Sequence, residues 1–323
     1  MRIFSTAMAL AAGLFASTAM AEDFPSRPIT LVVPYAAGGN VDVSTRILQK
    51  ALGDTLGQPV VVENRPGGGG MIAGAYVARS KPDGYTLLVG SNGPIMFGPM
   101  TSAKPPYKWE KDLEPVSMLA QATNLMLVRA DFPAKTVKAF IDYAKAHPGD
   151  IRVGISSLVS INHFLGLLLR QSTDSKWTEV YYNGNAPAVA DLVAGQIDAG
   201  FQQMVDAKQH IEGGRLRALA VVGDKRSPLF PDVPTMAEAG FASIQGVTFN
   251  GVFAPKGTPS EIINILSTKI QAALQTPDAV AHLSALGSEA HGTTPDEFRT
   301  FLVAETVKWE DVIAKSNAEK AKK

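Results

Sequence analysis

The groups best placed to do chemistry in this chain are main-chain amides rather than reactive side chains. The apolar, β-branched run Ile29–Pro34 reads as a buried strand, and it breaks at Tyr35-Ala36-Ala37-Gly38-Gly39. Asn40 then reads as the N-cap of a helix carrying Ile47, Leu48, Ala51 and Leu52 on one face. A strand that enters a helix through bare small residues leaves N–H groups unpaired. The helix dipole adds to them, so the turn suits an anion such as a carboxylate. Asp42, an acid in the first helical turn, offsets that dipole and is expected to tie down the loop rather than meet a ligand.

Three further turns have the same character. Ser91-Asn92-Gly93-Pro94 follows the strand pattern Tyr85–Gly90, and Ser156-Ser157 follows Ile151–Ile155, with Ser160 as the next N-cap. Asn183-Gly184-Asn185-Ala186-Pro187 follows Glu179–Tyr182, with Asn185 as N-cap and Pro187 in the first turn. Ligands in open α/β sheets bind outside the carboxyl ends of strands, so four such turns predict one binding cleft. Hydrogen bonds to a charged group contribute about 1.5–3 kcal/mol each. Four or five of them, less the entropy of association, are enough for a micromolar complex, about −8 kcal/mol.

Catalytic constellations are sparse. His147, His163, His210, His282 and His291 have no metal-ligand spacing, and there is no cysteine, no G-x-S-x-G elbow and no P-loop. The expectation is a protein without metal or cofactor that is not an enzyme. A Ser–His–Asp set assembled only by folding is the one route to an exported hydrolase. Gly68-Gly69-Gly70-Met71-Ile72-Ala73 matches G-x-G-x-x-A, but Glu63–Gly67 separates it from the preceding strand. Asp83 opens a turn instead of ending a strand, so the tract reads as a helix entry and not a dinucleotide site.

Residues 1–21 have the parts of a secretory signal: Arg2, the apolar run Ile3–Ala16, and Ala19-Met20-Ala21, with cleavage expected after Ala21 into a periplasm. The formal net charge is zero, which argues against nucleic acid as a partner. Strand and helix patterns alternate. Pro59–Glu63, Asn124–Arg129 and Leu216–Val222 are further strands, and Val41–Leu56, Ile72–Ser80, Val137–His147, Ile161–Gln171 and Pro187–Ala194 are helices. This is an α/β pattern of sheets covered by helices. The last third has helices near Ser260–Leu274 and Pro295–Ala314 and no strand between them. A two-lobe chain with crossings at Val116–Leu125 and Gln245–Pro255 is expected, with 22–123 and 246–323 forming lobe 1 and 124–245 lobe 2.

Val33–Asp42, Val62–Gly70, Pro82–Leu88, Tyr182–Ala188, Gly214–Ala220, Phe230–Thr235 and Asn250–Pro259 occur in an order that resembles the Bug-type extracytoplasmic solute-binding receptors of the tripartite tricarboxylate transporter family. The resemblance implies a two-lobe periplasmic-binding-protein fold (type II, Venus-flytrap) with two hinge crossings. It also implies a small carboxylate ligand and a membrane permease as partner. A monomer is expected, and a sensor module presenting its closed form to a signalling receptor is the alternative. Carried over by position, the ligand contacts fall on Tyr35, Ala36, Ala37, Gly38, Gly39 and Asn40, on Ser91 and Asn92, on Ser156 and Ser157, on Gly184, Asn185 and Ala186, and on Gln202. Where many relatives have an acid and an amide, this chain has Gln202-Gln203, which predicts a ligand without an amino group. Pro94-Ile95-Met96-Phe97 replaces a common polar pair and is either an apolar cleft wall for an aromatic or alkyl body, or simply core.

Overall fold

The computed structural model describes residues 24–182 and 184–320. The expected leader, residues 1–21, and Asn183 lie outside the described residues. In chain order the first part runs β1 (Ile29–Val33), α1 (Asn40–Leu56), β2 (Val60–Asn64), α2 (Met71–Ala78) and β3 (Thr86–Ser91), then a π-helical turn, Gly93–Phe97, and the short α3 (Gly98–Thr101) and α4 (Trp109–Asp112). Next come β4 (Leu113–Ala122), β5 (Asn124–Arg129), α5 (Val137–Ala146), β6 (Arg152–Ile155), α6 (Ile161–Thr173), β7 (Thr178–Tyr181), α7 (Asn185–Val193), β8 (Ala199–Gln203), α8 (Met204–Glu212) and β9 (Leu216–Val222). The chain closes with β10 (Thr248–Pro255), α9 (Ser260–Leu274), α10 (Pro277–Ala285), β11 (Ser288–Ala290) and α11 (Pro295–Lys320).

These strands form two sheets, ordered β2-β1-β3-β10-β4-β11 and β7-β6-β8-β5-β9. Both follow one plan. Three parallel strands with the first of them central (β1 or β6) are followed by a strand inserted antiparallel, β10 in one sheet and β5 in the other. Each inserted strand arrives directly from the opposite lobe, so both chain crossings run through sheet interiors.

The apolar run of β1 has a simple cause. Ile29, Leu31 and Val33 pack with Leu48 and Leu52 of α1 and Leu266 and Ile270 of α9, while Val32 packs the other way with Ala73 and Val77 of α2. A parallel strand covered on both faces has no polar side to show.

The two expected crossings take different forms. The first occurs at Thr123, between β4 and β5, but the second region, Gln245–Pro255, is mostly β10, a strand buried along its whole length. Its polar and small residues are there for packing. A Cβ on Gly251 would fall 2.2 Å from Cζ of Phe298, so only glycine lets the α11 ring lie on the strand. Asn124 donates to Thr248 Oγ1 at 3.1 Å and so ties the two crossing strands together. The short β11 overturns the expectation of no strand between the last helices. It pairs through three residues with the edge of β4, too few to show a period of two in the sequence.

The Pro94–Phe97 segment is core and not a cleft wall. Ile95 and Phe97 are fully buried, and the Phe97 ring lies 4.2 Å from that of Phe164 and 5.5 Å from that of Trp309. This cluster joins the π-helical turn of the first lobe, α6 of the second and the C-terminal helix. Trp309→Ala should therefore cost about 3–5 kcal/mol, the usual range for a buried Trp. A lowered urea midpoint followed by far-UV circular dichroism checks this.

Candidate ligand-binding site

Between the carboxyl ends of the two sheets lies a cleft of about 700 Å³, within the usual range for a small-molecule site. The β1–α1 turn and the end of β3 form one wall, and the β6–α6, β7–α7 and β8–α8 turns form the other. The N-termini of α1, α6, α7 and α8 therefore point toward one space. Each carries about half a positive charge on its unpaired amides. Among the described residues no Lys, Arg or His lines the cleft. The positive groups it does present are backbone amides.

Whether those amides are open depends on the caps. Contrary to the sequence expectation, Asn40 and Asn185 are not N-caps but the first helical residues, and the caps are Gly39 and Gly184. A glycine cap offers no side-chain oxygen, so the following N–H groups stay uncapped. By contrast α6 is closed by its own Ser160, whose Oγ accepts from His163 N at 3.3 Å. Gly184 adopts φ +122°, a conformation that a side chain would strain.

Two predicted amides are committed inside the protein. Gly38 N–H donates to Asp42 Oδ2 at 2.9 Å, and Gly184 N–H donates to Ser156 O at 2.8 Å. Those of Ala36, Ala37, Gly39, Asn40, Ser157, Asn185 and Ala186 take no acceptor among the described residues. Asp42 ties the loop as expected. It is 2% exposed, and besides Gly38 it accepts from Arg46 and from Asn64, which also donates to Tyr35 O at 3.0 Å. Burial pushes the Asp42 carboxyl up, but the bonds from Arg46, Gly38 and Asn64 outweigh it and hold the group below its ordinary value.

The remaining predicted residues divide by what their side chains do. The Tyr35 hydroxyl meets Ser91 Oγ at 2.9 Å, and burial pushes the Tyr35 pKa up to about 12, against a smaller lowering by Ser91. It stays neutral at any physiological pH. Asn92 lines the cleft, but its amide group is bound to the crossing strand: it donates to Val247 O and accepts from Phe249 N, both at 3.1 Å. Asn40 Oδ1 accepts from Asn250 at 2.9 Å, which leaves its buried Nδ2 unpartnered. Gln202 is a correction. Successive strand residues face opposite ways, and it is Gln203 that lines the cleft while Gln202 is fully buried outside the lining.

Sequence reasoning missed Val159, Asn162 and Asp206. Val159 sits at the tip of the β6–α6 turn, and its backbone oxygen lies 3.0 Å from where a Cβ on Gly93 would be. Its Cγ2 lies 3.1 Å from the same point on Gly69, so the second lobe touches the first through two glycines. The Gly68–Gly70 tract is thus cleft rim as well as helix entry. Asn162 carried no signal beyond following a cap. Asp206, a first-turn acid of α8, carried no signal either, yet it lines the cleft, and burial raises its carboxyl pKa against a partial lowering by Asn185.

Residues 44–318 match the family described as "Tripartite tricarboxylate transporter family receptor". The chain belongs to this receptor family. Protein BugT of Bordetella pertussis is 38% identical to the receptor over 313 residues, 95% of this chain and 96% of BugT. Among solved structures, MatC from Rhodopseudomonas palustris with bound malate superposes with a TM-score of 0.79 at 34% identity, covering 90% of this chain and 100% of that one. R. palustris Rpa4515 with adipate gives 0.82 at 34% identity, covering 91% and 99%. The periplasmic binding protein BugD gives 0.79 at 32% identity, covering 91% and 99%. The receptor has their two-lobe periplasmic-binding fold, and its relatives are solute-binding proteins.

Two outcomes are expected from this geometry. Asp42→Ala frees Gly38 N–H and loosens the loop, lowering stability by about 2 kcal/mol at neutral pH. A carboxyl held low in the folded state stabilises above its ordinary range and loses that contribution as pH falls through its folded value. The gap between wild type and Asp42→Ala should therefore close on acidification, as measured by denaturant titrations across pH. Gly93→Ala places a methyl against Val159 O and Tyr35 Oη, each 3.0 Å away. It should hold the lobes apart and weaken ligand binding several-fold with little change in the melting temperature of the ligand-free protein, as read by calorimetry.

Proposed function

We propose that this receptor captures a small carboxylate in the periplasm and hands it, chemically unchanged, to the membrane permease of a tripartite tricarboxylate transporter. The observation that carries the reading is a cleft with two glycine-capped helix N-termini in opposite walls and no cationic side chain among the described lining residues. Such a site grips a carboxylate by directed N–H groups, which recognise the oxygens' geometry as well as their charge.

The ligand carboxylate is held by the open amides of Ala36, Ala37, Gly39 and Asn40 from one lobe and of Ser157, Asn185 and Ala186 from the other, with Tyr35 and Ser91 as neutral hydrogen-bonding partners. The closing bodies are 22–123 with 246–323, and 124–245, moving about Thr123 and the segment leading into β10. The malate bound to MatC and the adipate with Rpa4515 support a ligand of that size. The expectation of a ligand without an amino group rested on a wall lacking an acid. Asp206 supplies one, so the class is a carboxylate at large. The receptor acts as a monomer that delivers its ligand and carries out no catalysis.

Native mass spectrometry of gently purified protein should find a retained small organic acid, and malate or adipate should raise the melting temperature in a thermal-shift panel. Deleting the receptor from its host should abolish uptake of that acid. Uptake that persists while induction of a response is lost would assign the cleft to signalling instead.

A further inference from the structure

The second-lobe wall has a proton order that the carboxylate reading leaves unused. Asn185 Nδ2 donates to Asp206 Oδ2 at 2.7 Å, which turns the Asn185 amide so that its Oδ1 faces Asn162. Asn162 Nδ2 donates to that Oδ1 at 3.2 Å and lies 3.4 Å from Ser156 Oγ. Ser156 in turn donates to Ser160 Oγ at 3.3 Å, and Ser160 to Ser157 O at 2.7 Å. In this row nearly every side-chain proton is directed into the wall; the second amide hydrogen of Asn185 is the exception. Beside the open amides of Ser157, Asn185 and Ala186, this wall carries one carboxylate toward the cleft, Asp206. Asn162 is 3% exposed, and its Oδ1 is buried without a partner, as is Gln203 Oε1. Asp206 Oδ1 receives no hydrogen bond from the described residues.

We infer that Asp206 determines specificity: the receptor takes carboxylates bearing a second, proton-carrying polar group, an ammonium or a hydroxyl, which Asp206 receives. This rests on the carboxylate reading and deepens it. Asp206 is the one acid lining the cleft among the described residues, and no cation accompanies it there. A ligand with only anionic groups would bring like charge to a desolvated carboxylate and would leave its open Oδ1 unmatched. Each of those effects disfavours binding. A donor-bearing ligand satisfies that oxygen, and an ammonium also neutralises Asp206. Sites built around hydrogen-bonding groups reject analogues lacking the partner much more strongly than apolar pockets reject a missing methylene.

The experiment compares ligands matched in length that differ at one carbon: succinate, malate and aspartate, and adipate with 2-aminoadipate. Isothermal titration calorimetry would be run on the wild-type receptor and on Asp206→Asn. The donor-bearing member of at least one series should bind wild type tenfold or more tightly than its unsubstituted partner. In Asp206→Asn that ratio should collapse to within about threefold, with the larger collapse for the ammonium than for the hydroxyl, since only the former loses a charge partner. Equal binding of substituted and unsubstituted members by wild type overturns the inference. So does a ratio that survives in Asp206→Asn, which would leave Asp206 merely holding Asn185. Failure of every carboxylate to bind wild type is a different result, because it removes the carboxylate reading itself.

Discussion

The structure depends on one constraint: helix N-termini that are deliberately left uncapped by side chains must nevertheless be held still. An open amide is useful for anion binding only if its direction is fixed before the ligand arrives, because disorder at the site would be lost from the binding free energy. In the β1–α1 turn Asp42 meets this requirement. It takes one amide of the loop, Gly38, and cross-links it to Asn64 on β2 and to Arg46 on the next turn of the helix. One donor is given up so that its neighbours stay in place. The β7–α7 turn uses Gly184 in the same way, through Ser156 O. The sacrificed amide in each loop is a glycine at positive φ, Gly38 at +88° and Gly184 at +122°.

This explains why hinge and site share residues. Asn92 lies in the cleft lining, yet its amide group clamps the backbone of the strand that returns from the second lobe. Val159 reaches across to Gly69 and Gly93. Ligand contact and lobe closure are therefore mechanically continuous, and a ligand that draws the two amide sets together acts on the strands that carry the movement. The Phe97–Phe164–Trp309 cluster lies outside the cleft lining and packs the two lobes against each other through α6 and α11.

The sequence displayed elements where a strand or helix has one environment along its length. β5 and β9 match their expected bounds, as does α9, because the strands are unbroken runs rich in apolar residues and the helix repeats Ile263, Leu266, Ile270 and Leu274 on one buried face. It hid the elements whose composition answers to a distant partner. β10 contains Asn250 and Gly251 because Asn40 and Phe298 sit against them, and β8 reads Ala-Gly-Phe-Gln-Gln because Gly200 lies close to Gly154 backbone. In the site, the turns were legible since glycine and serine between a strand and a helix have a local reason to be there. Their exact roles were not. Assigning the cap to Asn40 rather than Gly39 follows ordinary preference, and only the three-dimensional need for open amides reverses it. Asp206 gave no local sign at all, because a first-turn acid is normal helix chemistry.

A cleft whose donors to an anion are backbone amides has a consequence for release. A lysine or arginine at the centre would contribute a full charge to any anion, whatever its shape, and would stay charged in the open state. Helix-terminal amides act within about a turn of the helix end and require alignment. In the proposed open state one set of donors would no longer reach the ligand, and roughly half the charge-assisted bonds would go with it. At about 1.5–3 kcal/mol each, losing even two of them weakens the complex by a hundredfold or more. Grip in the closed form and surrender in the open form then follow from one geometric variable, the separation of the Gly39 and Gly184 caps.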